Sequence, residues 1–158
     1  MPAKIVVFAL ITFLHDLATV VWIGGLFALS LLVIPAVRKA VGKSPQAGEI
    51  VGTIQRRFRG FVVASIVTLG ITGILMSKRS GYVVEAFSFA NLYAGVLSVK
   101  HILVILMIAF AFIMNLMRKK SRGGPGAFLL VNLILGILIL LLSGLNAAIA
   151  SIPVAAGQ

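Results

Sequence analysis

Residues 5–35 read IVVFALITFLHDLATVVWIGGLFALSLLVIP. Over that length one side chain is formally charged, Asp16, and His15 beside it can become so. A helix crosses the hydrocarbon core of a bilayer with about 20 mostly apolar residues. This stretch is longer than that, so as a helix it tilts or projects beyond the core. Lys4 in front of an apolar run resembles the start of a signal peptide. The run is too long for one, and no small-residue cleavage pattern closes it, which makes it a retained span.

Three more stretches qualify by the same criterion, at about 58–77, 92–117 and 126–152. The 158 residues are then one integral membrane domain with four spans. Composition agrees. Hydrophobic residues make up 61% and charged residues 11%, against roughly 25% charged in soluble domains. A water-soluble monomer of this size could not hide so much apolar surface, and a disordered chain needs low hydrophobicity. The fold class expected is all-α, a polytopic four-helix bundle in the cell membrane.

The formal net charge is +11, from 14 Lys and Arg against 3 Asp and Glu. Ten of the cations sit beside spans. Arg38, Lys39, Lys43, Arg56, Arg57 and Arg59 lie between the first two, and Arg118, Lys119, Lys120 and Arg122 between the last two. Basic loops stay in the cytoplasm, so both termini are expected outside. The second connection has only Lys78 and Arg79. No basic stripe with interleaved aromatics appears, so nucleic acid is not an expected partner.

The connections carry local signals. Ser44-Pro45 reads as an N-cap followed by proline in the first helical turn, starting a helix that feeds into the second span. Residues 78–91 carry Tyr82, Val84, Phe87 and Phe89 and are expected at the outer interface, with Tyr82 and Tyr93 near headgroup level. The short link 118–125 makes the third and fourth spans antiparallel neighbours. Gly24, Gly25, Gly70, Gly73 and Gly136 read as close-packing positions. Thr68, Thr72, Asn132, Ser143 and Asn146 read as hydrogen bonds between helices, and Met107, Met114 and Met117 as packing.

Ionisable groups within spans cost about 2.5–3.5 kcal/mol at the helix centre and mark functional positions by default. The chain has four: His15 and Asp16 in the first span, Lys100 and His101 in the third. Both histidines, the only two in the sequence, fall roughly 15 Å from the outer ends of their helices at 1.5 Å per residue. Two imidazoles at one depth on parallel helices suit axial ligation of one haem iron. Ala18, Ala94 and Ser98 beside them leave room for a flat ligand, with Trp22 packing below. Lys78, Arg79 or Lys100 could meet the propionates, and Asp16 with Lys100 forms an expected structural charge pair. With no cysteine, thiolate metal sites, iron–sulfur clusters and covalent c-type haem are excluded. No nucleophile–base pair, phosphate loop or paired carboxylates appear, so an independent enzyme is not the expectation.

Leu14-His15, Trp22-Ile23-Gly24-Gly25 and Pro35, followed by Arg57-Phe58, Thr72-Gly73 and Lys100, resemble the four-helix domain of the copper resistance protein D family. The resemblance implies copper handling at the membrane, with His15, Trp22 and Lys100 at pattern positions. His101 is not part of that pattern. A weaker similarity is to the membrane protoporphyrinogen oxidases of the haem pathway. They too have a first-span His, a run like Trp22 to Leu26, an Arg-Phe pair and a third-span Lys. After the first span this chain departs from them, with Val33-Ile34-Pro35-Ala36. The reading is therefore a bis-His haem b protein with a redox role, the alternatives being copper binding or transport and a membrane subunit of a larger complex. A membrane redox partner or quinone, and a homo-oligomer, stay open as partners.

Overall fold

The computed structural model describes residues 3–80, 87–118 and 126–151. Four helices in it are long and apolar enough to cross a membrane: α1 (Ala3–Val41), α2 (Pro45–Ser80), α3 (Leu92–Arg118) and α4 (Gly126–Ser151). No strand occurs among the described residues. Tyr82, Val84 and residues 119–125 lie outside the described residues, as do the side chains of Lys78, Arg79, Met114 and Met117.

The helix ends follow from local chemistry. Gly42, at φ 70°, takes the chain out of α1 in a conformation that disfavours other residues. Two residues later the Ser44 hydroxyl accepts the Ala47 amide at 3.2 Å and opens α2, with Pro45 in its first turn. This is the expected cap. It begins a helix of 36 residues, about 54 Å long at 1.5 Å per residue and well beyond a ~30 Å hydrocarbon core. Its first four turns expose Gln46, Glu49, Arg56 and Arg57. At the other end of the molecule the Asn91 side chain accepts the Ala94 amide at 2.8 Å and caps α3.

Helix α1 is not regular. Val20–Gly24 and Ala28–Val33 are wound as π-helix. The second stretch runs up to Pro35, whose missing N–H and bulky ring break the i to i−4 ladder one turn back. The apolar pattern of the sequence gave no sign of this widening.

Packing joins α1 to α2 and α3 to α4, and α1 to α4 between the two pairs. The order around the bundle is thus α2, α1, α4, α3, and α2 and α3 are not packed along each other. Burial agrees: 33% of the apolar window of α1 and 28% of that of α4 are covered, against 11% each for α2 and α3. The core consists of Trp22, Ile23, Leu26, Met107, Leu129 and Leu133 with their neighbours. The outward faces are apolar over the spans, with Phe13, Val20, Phe61, Phe112 and Leu141 more than half exposed. A surface of that kind belongs in lipid, and the chain is a multi-pass membrane protein.

Glycine explains two of the close approaches. A Cβ at Gly25 would overlap the Phe58 ring, and one at Gly136 would come within 3.2 Å of Ile23. These two behave as the small packing residues of membrane helices do. Gly24 and Gly70 do not, since a Cβ at either would meet nothing within 4 Å. Gly73 faces His15 at ordinary contact distance.

Candidate functional sites

The first site lies toward the Ala3 end of the bundle. His15 is half-buried on α1, and its Nδ1 is 2.8 Å from the Thr72 hydroxyl on α2. That hydroxyl is itself 2.6 Å from the Thr68 carbonyl, which can only accept, so Thr72 spends its proton there. Its oxygen must then accept from His15. In the neutral ring the proton therefore sits on Nδ1, and the Nε2 lone pair has no partner among the described residues.

His101 reaches the same state by a different route. Its Nδ1 is 2.7 Å from the Leu97 carbonyl one turn back in α3, again an obligatory acceptor. The residue is exposed, and the Phe87 ring stands tilted beside it at 6.2 Å. Each histidine thus has Nδ1 anchored and Nε2 unpartnered, the arrangement in which a protein presents an imidazole to a metal.

Lys100 is half-buried on α3, within electrostatic reach of both Asp16 and His15. Asp16 is exposed, however, and no direct ion pair forms between it and Lys100. Lys100 and His101 are adjacent on one helix, so they point about 100° apart.

Ala18, Ala94 and Ser98 are all buried, Ser98 completely. The Ser98 hydroxyl donates to the Ser88 carbonyl at 2.9 Å, which ties the segment before α3 back onto that helix. Of the polar residues read as interhelical bonds, Thr72 is one, in contact with His15. Ser143 instead bonds the Ile139 carbonyl of its own helix. Asn132 and Asn146 are buried with Oδ1 unpaired.

A second site lies toward the basic end. A cavity of about 200 Å³ opens between α2 and α3, where those helices fail to pack. Val63 and Phe112, both exposed, frame its mouth with Arg59. Its walls are apolar, from Leu26, Phe58, Val62, Ile66, Ile108 and Leu129 among others. Trp22, Gln55 and Asn132, which are at most 5% exposed, are among its lining residues too. The Trp22 Nε1, both side-chain polar atoms of Gln55 and the Asn132 Oδ1 have no hydrogen-bond partner. Gln55 escaped the sequence reading because it stands among arginines in a stretch that reads as a polar connection. Its signal was the continuous helix from Pro45, which places it one turn before Phe58 on the inward side.

Fold and sites together define the class: a four-helix multi-pass membrane protein with an imidazole–threonine pair toward one end and a side-opening, mainly apolar cavity toward the other. No protein family, curated protein or solved structure matches the chain.

Proposed function

We propose that the protein binds a b-type haem in the membrane and serves a redox role, with His15 and His101 as the axial ligands. The observation that supports this is the state of the two rings. Both hold Nδ1–H on a fixed acceptor and leave Nε2 as the free donor nitrogen, and two neutral imidazoles are a donor set that fits haem iron. When bound, the haem would supply reversible one-electron chemistry. The chain's own residues supply the rest. Thr72 orients the His15 ring, the Leu97 carbonyl orients His101, and Lys100, half-buried on α3, is the residue that would meet a propionate. Four apolar helices keep the centre out of bulk water. In this reading the basic connections face the cytoplasm and the Ala3 end faces outward across the cell membrane.

The resemblance to the copper resistance protein D family supports copper as the second reading. Imidazole suits copper, but the softer thiolate ligands are missing because the chain has no cysteine. One measurement separates the two: an absorption spectrum of the protein purified from membranes, with iron and copper determined on the same sample. The haem reading expects a low-spin haem spectrum that His15→Ala and His101→Ala each abolish while the protein stays folded and inserted. A wild-type spectrum in either variant refutes paired ligation. A colourless protein carrying copper selects the second reading, and one carrying neither leaves the role of a membrane subunit.

A further inference from the structure

We infer that the cavity between α2 and α3 is a binding groove for an anionic phospholipid, which lays an acyl chain along the apolar walls and sets its phosphate on Arg59. The inference stands on this cavity and its arginines and does not involve the histidines.

Arg59 is exposed at the mouth of the cavity and has no hydrogen-bond or ion-pair partner among the described residues. No acidic residue lines the cavity. The nearest acid on α2, Glu49, is about 15 Å back along the helix. Arg56, also exposed, stands one turn before Arg59. Arg56, Arg59 and Val63 follow one another at i, i+3 and i+7 along one edge of α2. Arg56 donates one N–H to the Thr53 hydroxyl at 3.1 Å and keeps the rest. Two guanidiniums on one edge, with no carboxylate to balance them, call for an anion. The planar fork of arginine matches the oxygens of a phosphate.

An arginine at the end of a span can reach into the headgroup layer beside any lipid. The groove is what makes a site of it. From Arg59 the α2 wall continues through Val62 and Val63 to Ile66, about 10 Å toward the middle of the span. Helix α3 runs the other way and lines the same stretch with Phe112, Ala111 and Ile108. Charge thus stands at the end of the span with apolar walls beneath it, the order in which a phospholipid presents its phosphate and its chain. Val63 and Phe112 are both exposed to lipid, so a chain enters between them without leaving the bilayer. The unpaired polar atoms of Trp22, Gln55 and Asn132 are fully covered and do not reach the occupant. Basic pockets between membrane helices are where anionic headgroups bind. Phospholipid is also the medium the protein sits in, so mass action favours it over a free fatty acid of the same polarity order.

The test is native mass spectrometry of the full chain in mild detergent, titrated with dioleoyl phosphatidylglycerol, dioleoyl phosphatidylcholine or oleate. One phosphatidylglycerol should bind ahead of all further lipid, about tenfold more tightly than phosphatidylcholine. Arg59→Gln should weaken it by about fivefold, the share of one basic residue at an anionic surface. Arg57 is about 160° around the helix from Arg59 and does not line the cavity, so Arg57→Gln removes the same charge and should leave the affinity almost unchanged. Ala111→Phe fills the groove from α3, and Val63→Phe blocks it at the exposed mouth without touching the core. Each should weaken binding while helicity stays as in the wild type. Equal binding of the two phospholipids overturns the inference, since the groove would then be a neutral acyl slot. Equal losses in Arg57→Gln and Arg59→Gln overturn it as well, because they show diffuse attraction and no site. So does wild-type binding in both phenylalanine variants. Displacement of phosphatidylglycerol by oleate at equal concentration would assign the site to free fatty acids instead.

Discussion

Replacing Thr72 by valine keeps the shape and branching of the side chain and deletes one oxygen. In the structure that oxygen accepts His15 Nδ1–H at 2.8 Å and passes its own proton to Thr68 at 2.6 Å. The Thr68 carbonyl keeps its helical partner, so its loss is small. The His15 N–H has no second acceptor among the described residues and is left unpaired in a half-buried place. Hydrogen bonds between membrane helices are worth ~0.6 kcal/mol on average and ~1.7 at most. A ring anchored by this bond to the other helix of its hairpin should lie between, so Thr72→Val is predicted to cost about 1 kcal/mol. Reversible unfolding of the apoprotein in mixed micelles, followed by helicity, measures it. Thr72→Ser keeps the oxygen and should recover most of the loss. Nitrogen NMR of His15 should find the proton on Nδ1 in the wild type and a mixture of tautomers in Thr72→Val. A cost below about 0.3 kcal/mol, or strict additivity with His15→Leu in a double-mutant cycle, would refute the coupling.

Gly25→Ala drives a methyl into the Phe58 ring and should destabilise by about 1–3 kcal/mol, recovered in part by Phe58→Leu. Gly24→Ala and Gly70→Ala meet open space and should be neutral or stabilising by roughly 0.5–1 kcal/mol. The same unfolding assay ranks all three, and equal costs at Gly24 and Gly25 would contradict the packing described. Asp16→Asn and Lys100→Met each leave one formal charge alone in the bilayer and should destabilise, and the double variant, which leaves neither, should lose less than their sum. Strict additivity would show that the two charges do not act on each other. Cysteine at Lys43 should resist a membrane-impermeant thiol reagent in intact cells and cysteine at Ser80 should react; the opposite pattern would invert the orientation.

Hydropathy made the four spans legible, because lipid demands long apolar helices and nothing else in the sequence mimics them. Ser44-Pro45 was equally plain, since a capping hydroxyl before a proline has few other meanings. Side-chain level was harder. Counting back from residue 77 puts Thr68 opposite His15. The second helix runs on to Ser80, and the partner is Thr72, one turn nearer that end. The cavity was illegible for a further reason. It lies where α2 and α3 do not meet. Neither the neighbour order of helices nor a change of winding leaves a mark on apolar periodicity.

That neighbour order also bears on how the chain comes together. Each hairpin, α1 with α2 and α3 with α4, is made of consecutive spans, so each can form as soon as its second helix has entered the bilayer. What joins them afterwards lies chiefly along α1 and α4, around Ile23 set against Gly136. Assembly in the membrane is thus two local events followed by one docking event, and the docking surface is mainly shape, a ridge of isoleucine against a notch of glycine. A chain severed between α2 and α3 would still carry both hairpins whole, each with its half of that surface, and the two pieces would have in lipid the same reason to find each other that they have when joined.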